Sequence, residues 1–92
     1  MSHTVEKSLH VGKTDTYSIT IDPTWLNGED ITSVTVTTDD TYITLGNHSI
    51  VDNIIYVYLT GVLKKGGVNV HFDYVLPTRD DCDYIRVIVE DC

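Results

Sequence analysis

The run VNVHFDYVL at residues 68–76 leaves little choice of local structure. Val68, Val70, Phe72, Tyr74 and Leu76 fall on one side of a two-residue repeat, and Asn69, His71 and Asp73 fall on the other. A helix would scatter these side chains around its circumference, whereas a strand puts one set in a core and the other in water. The same period returns in TYSITI, where Tyr17, Ile19 and Ile21 alternate with Ser18 and Thr20, and in YIRVIVE, where Ile85, Val87 and Val89 point one way. IIYVYLTG is apolar on both faces, with Ile55, Val57 and Leu59 interleaved with Tyr56 and Tyr58. That is the pattern of a central strand with an aromatic outer face.

Weaker runs complete the set. ITSVTVTT places Val34 and Val36 together, with Ile31 out of phase at a bulge or turn, and TYITLGN reads as a shorter strand closed by Gly46-Asn47. KKGG reads as a turn in which Gly66 and Gly67 are free to take positive φ. PTRDDCD reads as a turn-rich connection. Ala and Gln are absent altogether while Thr, Val, Ile and Tyr dominate, a choice of stiff and aromatic side chains that suits a pleated surface.

With 92 residues, the chain is expected to form one domain. The predicted fold is all-β, an immunoglobulin-like β-sandwich of about seven strands, with a barrel as the second choice. Residues 1–12 read as an N-terminal arm and 13–92 as the sandwich. Val5, Leu9 and Val11 alternate weakly along the arm, which is either a loose edge strand or a segment ordered by a partner. They are candidate partner-binding residues, together with the outward Tyr56 and Tyr58.

Between two of the strands lies DPTWLNGED, which holds the chain's only Trp. Pro23 ends the strand before it, since proline cannot donate to a ladder, and Asn27-Gly28 reverses the chain. Trp25 and Leu26 are then expected to fold back as a structural plug over the open end of the two sheets. Burial of this kind is worth about 2–3 kcal/mol. Arg79, beside Asp80, Asp81 and Asp83, is expected to pair locally with those carboxylates.

The remaining features exclude more than they assign. The formal charge of −8, from 14 Asp+Glu against 6 Lys+Arg, repels phosphate backbones and argues against direct nucleic-acid binding. There is no run of about 20 apolar residues to span a membrane and no secretory h-region at the start, so a soluble chain made in the cytoplasm is expected. His3, His10, His48 and His71 have no ligand spacing, and the Asp80–Asp83 cluster lacks a calcium-loop frame, so no metal or other cofactor is expected. Ser18, Ser33 and Ser49 sit outside any nucleophile elbow, and Cys82 lies among aspartates, the wrong surroundings for a nucleophilic thiol, so no catalytic residues are assigned. Across an extended last segment, Cys82 and Cys92 are too far apart to bridge and read as free thiols.

The order YSITIDPTWLNGEDITSVTV resembles the opening of a family of small virion proteins from tailed bacteriophages. There a strand ending in I-D is followed by W-L, a turn with Gly and an acidic residue, and I-x-S-V. VYLTG, the GG turn, VNVHFDYVLPT, the Arg-bearing RDDCD and the closing YIRVIVED continue the likeness across residues 15–91. The chain departs from the family at Thr78-Arg79-Asp80, where members often carry G-R, and at Val70-His71-Phe72, where a Tyr-x-Val pattern is usual. The resemblance implies an immunoglobulin-like structural part of the virion that decorates or cements the capsid through contacts with major capsid proteins, with a homo-oligomer formed between edge strands as a further option. The alternative is a neck, tail or baseplate module, in contact with neck or tail proteins and involved in attachment to host-surface glycans. An outward platform of Tyr56, Tyr58 and Tyr84 with Trp25 would serve that second role.

Overall fold

The computed structural model describes residues 6–91; His3, Val5 and Cys92, all named above, lie outside the described residues. Seven strands and one helical turn follow in order: β1 (Glu6–His10), β2 (Thr14–Thr20), α1 (Pro23–Leu26), β3 (Ser33–Thr38), β4 (Ile43–Val51), β5 (Ile54–Gly61), β6 (Lys65–Val75) and β7 (Asp80–Glu90). They make two sheets, ordered β1-β7-β6-β3 and β2-β5-β4, which face each other as a sandwich. All pairings are antiparallel except β1 with β7, which is parallel. The grouping of the second, fifth and fourth strands against the seventh, sixth and third is that of an immunoglobulin constant-type domain; the first strand has moved across to the other sheet.

The alternating stripes supply the core. Val70, Phe72, Ile85 and Val87 from one sheet meet Ile43, Ile55, Val57 and Leu59 from the other, each essentially without solvent exposure. β5 is the central strand of its sheet, which is why both of its faces carry large side chains. Ile31, out of phase in the sequence, is buried in the loop before β3. The next residue fixes that loop: both the amide and the hydroxyl of Thr32 donate to the Val75 carbonyl, at 2.8 Å each.

Of the two readings of the arm, residues 6–10 take the first: they are the edge strand β1, hydrogen-bonded along β7, and Leu9 is 3% exposed. Three other expectations change. Gly46-Asn47 does not close a strand but forms a bulge within β4, where the register slips between Leu45 and His48. The neighbouring β5 keeps supplying partners on either side of it, so the ladder resumes. Gly66 and Gly67 lie inside β6 at a second register slip, between Lys65 and Val68, and the glycines at positive φ are Gly12 and Gly28. The DDCD run belongs to β7, leaving Pro77–Arg79 as the turn.

The chain passes from one sheet to the other at residues 11–13. Val11 N donates to Glu90 O at the end of β7 (2.9 Å), and Gly12 N donates to Gly61 O at the end of β5 (2.8 Å). The crossing is so close that a Cβ on Gly61 would stand 2.5 Å from the His10 carbonyl oxygen. Nearby, the buried Tyr17 hydroxyl donates to the Ser8 carbonyl at 2.5 Å. An edge-strand carbonyl is satisfied in this way from the opposite sheet.

Two measurements follow from this arrangement. Leu9→Ala should lower stability by about 2–5 kcal/mol in urea unfolding; a dangling arm would leave the midpoint unmoved. Tyr17 and Tyr74 have phenol pKa values raised from 10 to about 12, in both cases first by burial and then by nearby carboxylates, Asp15 for Tyr17 and Asp81 and Asp83 for Tyr74. A pKa raised in the folded state contributes stability that is whole below pH 10 and lost as pH climbs toward 12. Stability should therefore fall over that interval, and less steeply in Tyr17→Phe, as read from unfolding midpoints at stepped pH.

Candidate functional site

Two surfaces gather the side chains that sequence reasoning singles out, and a third gathers side chains that it missed. The first is the end of the sandwich where the β2–β3 connection meets the β6–β7 turn. In DPTWLNG, the Asp22 carboxylate accepts from the Thr24 amide at 2.9 Å, Pro23 opens the helical turn, and Asn27 closes it in the left-handed region at φ 52°. Gly28 follows at φ 82°. An N-cap Asp, Pro at the first helical position and a left-handed Asn are helix punctuation, so the signals for α1 stand in the sequence although that segment was expected to be a plain reversal. The turn drops Leu26 into the core and leaves Trp25 half-buried against it.

Trp25 is held by two side chains. Its ring meets Tyr74 edge to face at 5.8 Å and 89°, and the Arg79 guanidinium lies over the ring, 4.1 Å from its centroid. Arg79 also donates through Nη2 to the Trp25 carbonyl oxygen. Its Nε stands 3.3 Å from Glu29 Oε2, an ion pair too poorly aligned to be a hydrogen bond. Glu29 in turn accepts from the Thr78 hydroxyl at 2.7 Å and the Thr78 amide at 3.2 Å. The partner of Arg79 is thus a carboxylate fifty residues away in sequence, and the expected pairing with its adjacent aspartates is corrected. The hydrogen bond from the Thr78 hydroxyl is the main cause that holds the Glu29 carboxyl below its ordinary pKa of 4.5, with the Thr78 amide and Arg79 adding to it.

The acidic run is not one solvated patch. Asp80 is exposed, but Asp83 is 3% exposed, with its carboxylate accepting the Tyr84 amide at 2.9 Å. Among the described residues, no three His, Cys, Asp or Glu side chains are grouped to hold a metal ion. Cys82 is a free, exposed thiol.

The second surface is the outer face of the β2-β5-β4 sheet, where Tyr56 is half-buried and Tyr58 is 51% exposed. Tyr84 stands instead on the four-stranded sheet, tilted against His71 at 5.7 Å, and Trp25 closes the loop end. The four aromatic residues therefore do not share one platform; two of them do. Of the other candidate contact residues, Leu9 is in the core, and Val11 packs against it and bridges Gly61. Neither side chain is presented to a partner.

The third surface is the opposite end of the sandwich. Val62 and Leu63 project there with 39% and 52% exposure, and the amides of both donate to the Tyr42 carbonyl, at 2.8 and 3.4 Å. Sequence reading missed this pair because VLKK continues an apolar strand without a break. Beside it an open groove of about 440 Å³ runs along the β3–β6 edge, with Lys65 Nζ 5.2 Å from the centre of the Tyr42 ring and Asp39, Asn69 and His71 on its walls. Among the described residues no helix is long and apolar enough to cross a membrane.

Arg79→Ala should cost about 1–2 kcal/mol in urea unfolding, through loss of the stacked cation and its hydrogen bond, and should red-shift Trp25 emission. A lowered carboxyl pKa contributes stability above 4.5 that fades as pH falls through the folded value. The acid shift of Trp25 emission should therefore be reduced in Glu29→Gln.

No protein-family model matches the chain, and no curated protein matches it in sequence. Its fold is similar to part of an endo-fucoidan hydrolase of glycoside hydrolase family 107, with a TM-score of 0.63 at 13% identity over 99% of this chain. The chain spans only 13% of that enzyme's length. A solution structure of amebosin is similar over 97% of this chain and 96% of its own, at 15% identity and a TM-score of 0.45. At these identities the likeness to the hydrolase is one of fold: a β-sandwich module of a kind also built into larger proteins.

Proposed function

We propose that the chain is a non-catalytic structural accessory protein of a bacteriophage particle. It is a decoration or cement module that is made in the host cytoplasm and stabilises the virion by protein–protein contact with capsid subunits. Direct contact with nucleic acid or membrane forms no part of this reading. The phage setting rests on the sequence resemblance. The mode of attachment rests on one structural observation, the knob formed by Val62 and Leu63.

Both knob amides are tied to the Tyr42 carbonyl, so the loop is already ordered and docking costs little conformational entropy. Lys64 and Lys65 follow it directly in sequence, and the Lys13 carbonyl accepts from the Gly61 amide just before it at 3.1 Å. The Lys64–Asp91 ion pair, at 3.7 Å between two well-exposed side chains, is worth little and opens readily. An apolar centre with a cationic rim fits a recessed, acidic-edged site on a partner. Repeated around a symmetric shell, contacts of this size add up to firm attachment.

The test is co-sedimentation of the purified protein with intact particles and with empty capsids of its source, scored as copies bound. Saturation at a multiple of the capsid symmetry is expected. Leu63→Asp, with an unchanged unfolding midpoint, should reduce the copies bound at least tenfold. Equal binding by this variant would remove the knob from the mechanism. Binding only to tailed particles, at a few copies, would move the protein to the neck or tail.

A further inference from the structure

The outer face of the β2-β5-β4 sheet is unlike the rest of the surface. Across its strands the register sets Ser18 and Ser49 on either side of Tyr56, and Thr14 and Thr44 on either side of Thr60. Between these rungs Tyr58 faces Thr16 on one side, and on the other it has only Gly46, whose missing Cβ would stand 3.1 Å from the Tyr58 Cβ. One flank of the most exposed aromatic ring on the face is therefore left open by the β4 bulge. Thr14 and Thr60 hydroxyls bond each other at 2.7 Å, which fixes the edge of the array. Charged residues make up 22% of the chain, yet none of the outward positions on these three strands carries one.

We infer that this face binds a neutral carbohydrate chain, with sugar rings stacked on Tyr58 and Tyr56 and sugar hydroxyls bonded to the surrounding Ser and Thr. Three features favour that occupant. A face without charge, on a chain of formal charge −8, offers no ion pair to a charged polymer, and the surrounding acidic surface repels an anionic one. Serine and threonine hydroxyls each donate and accept, which matches the mixed demand of sugar hydroxyls. Tyrosine joins an apolar ring face to a polar tip.

Size points the same way. Three strands about 4.8 Å apart and four rungs about 7 Å apart give a flat patch on the order of 300 Å². A stable protein interface needs about 800 Å² from each partner, whereas a short run of sugar rings fits the patch. Tyr56 and Tyr58, two residues apart on one strand, are spaced about 7 Å along it and present successive rings to a linear chain. The inference does not depend on the particle assignment.

The experiment is affinity electrophoresis of the whole protein in native gels containing dextran, laminarin, mannan or galactan, with alginate as the anionic comparison, followed by amide chemical-shift mapping with the polymer that retards most. Retardation in at least one neutral gel is expected, none in alginate, and shifts confined to β2, β5 and the bulge of β4. Tyr58→Ala should weaken binding about tenfold or more with its near-ultraviolet dichroism otherwise native. Tyr84→Ala, on the opposite sheet, should leave binding unchanged. No retardation in any neutral gel, shifts on another surface, or full binding by both Tyr58→Ala and Tyr56→Ala would overturn the inference. Protection of this face from hydrogen exchange only inside assembled particles, without polysaccharide binding, would assign it to a protein partner and overturn it equally.

Discussion

The sandwich depends on one close crossing of backbone over backbone. At Val11–Lys13 the chain bonds simultaneously to the end of β7 and to Gly61 at the end of β5, and it can do so only because residue 61 has no side chain. This crossing lets a single segment serve both sheets: β1 completes the four-stranded layer and β2 opens the three-stranded one. Without it β7 would present an unpaired edge and Leu9 would leave the core. The Tyr17–Ser8 hydrogen bond secures the same corner a few ångströms away. The two sheets are thus locked together by backbone and side-chain hydrogen bonds at this corner.

At the far end the lock is built from side chains. Trp25 and Glu29 come from one connection, Thr78 and Arg79 from another and Tyr74 from β6, and Trp25, Arg79 and Glu29 are each held by two of the others. Such an arrangement closes the barrel-like mouth of a sandwich without a disulfide. Among the described residues only Arg79 Nε is a buried side-chain polar atom without a hydrogen bond, so a large aromatic residue is covered at small desolvation cost. The remaining surface divides into a charged sheet face, an uncharged one and an apolar knob. These regions of different chemistry share a chain 42 Å long and 17–21 Å across.

Much of the fold could be read from residues alone, for a definite reason. β2, β5, β6 and β7 have one face in the core and carry unbroken stripes, so a slip of one residue would expose an entire set. Where the stripe is short, sequence is silent on pairing. Leu9 and Val11 alternate too briefly to reveal that β1 lies beside the last strand rather than apart from the domain. Gly46-Asn47 and Gly66-Gly67 carry the residue types of turns, and only the adjacent strands turn them into bulges. The contact of Arg79 with Glu29 joins positions fifty residues apart, so no local pattern encodes it. For the same reason Tyr56 and Tyr58 could be assigned a common face from their spacing, whereas the sheet that holds Tyr84 could not be known.

The parallel pairing of β1 with β7 has a mechanical meaning. Glu6 lies beside Arg86 and His10 beside Glu90, so a pull toward residue 6 and an opposite pull toward residue 91 slide the two strands past each other lengthwise. The five rungs then bear the load together, in shear, instead of opening one at a time like a zipper. Resistance to forced extension is set by the barrier to unfolding rather than by equilibrium stability, and a sheared ladder places that barrier at the first ångströms of travel. A module tensioned between two attachments along this axis would behave as a stiff link until the β1 rungs fail together.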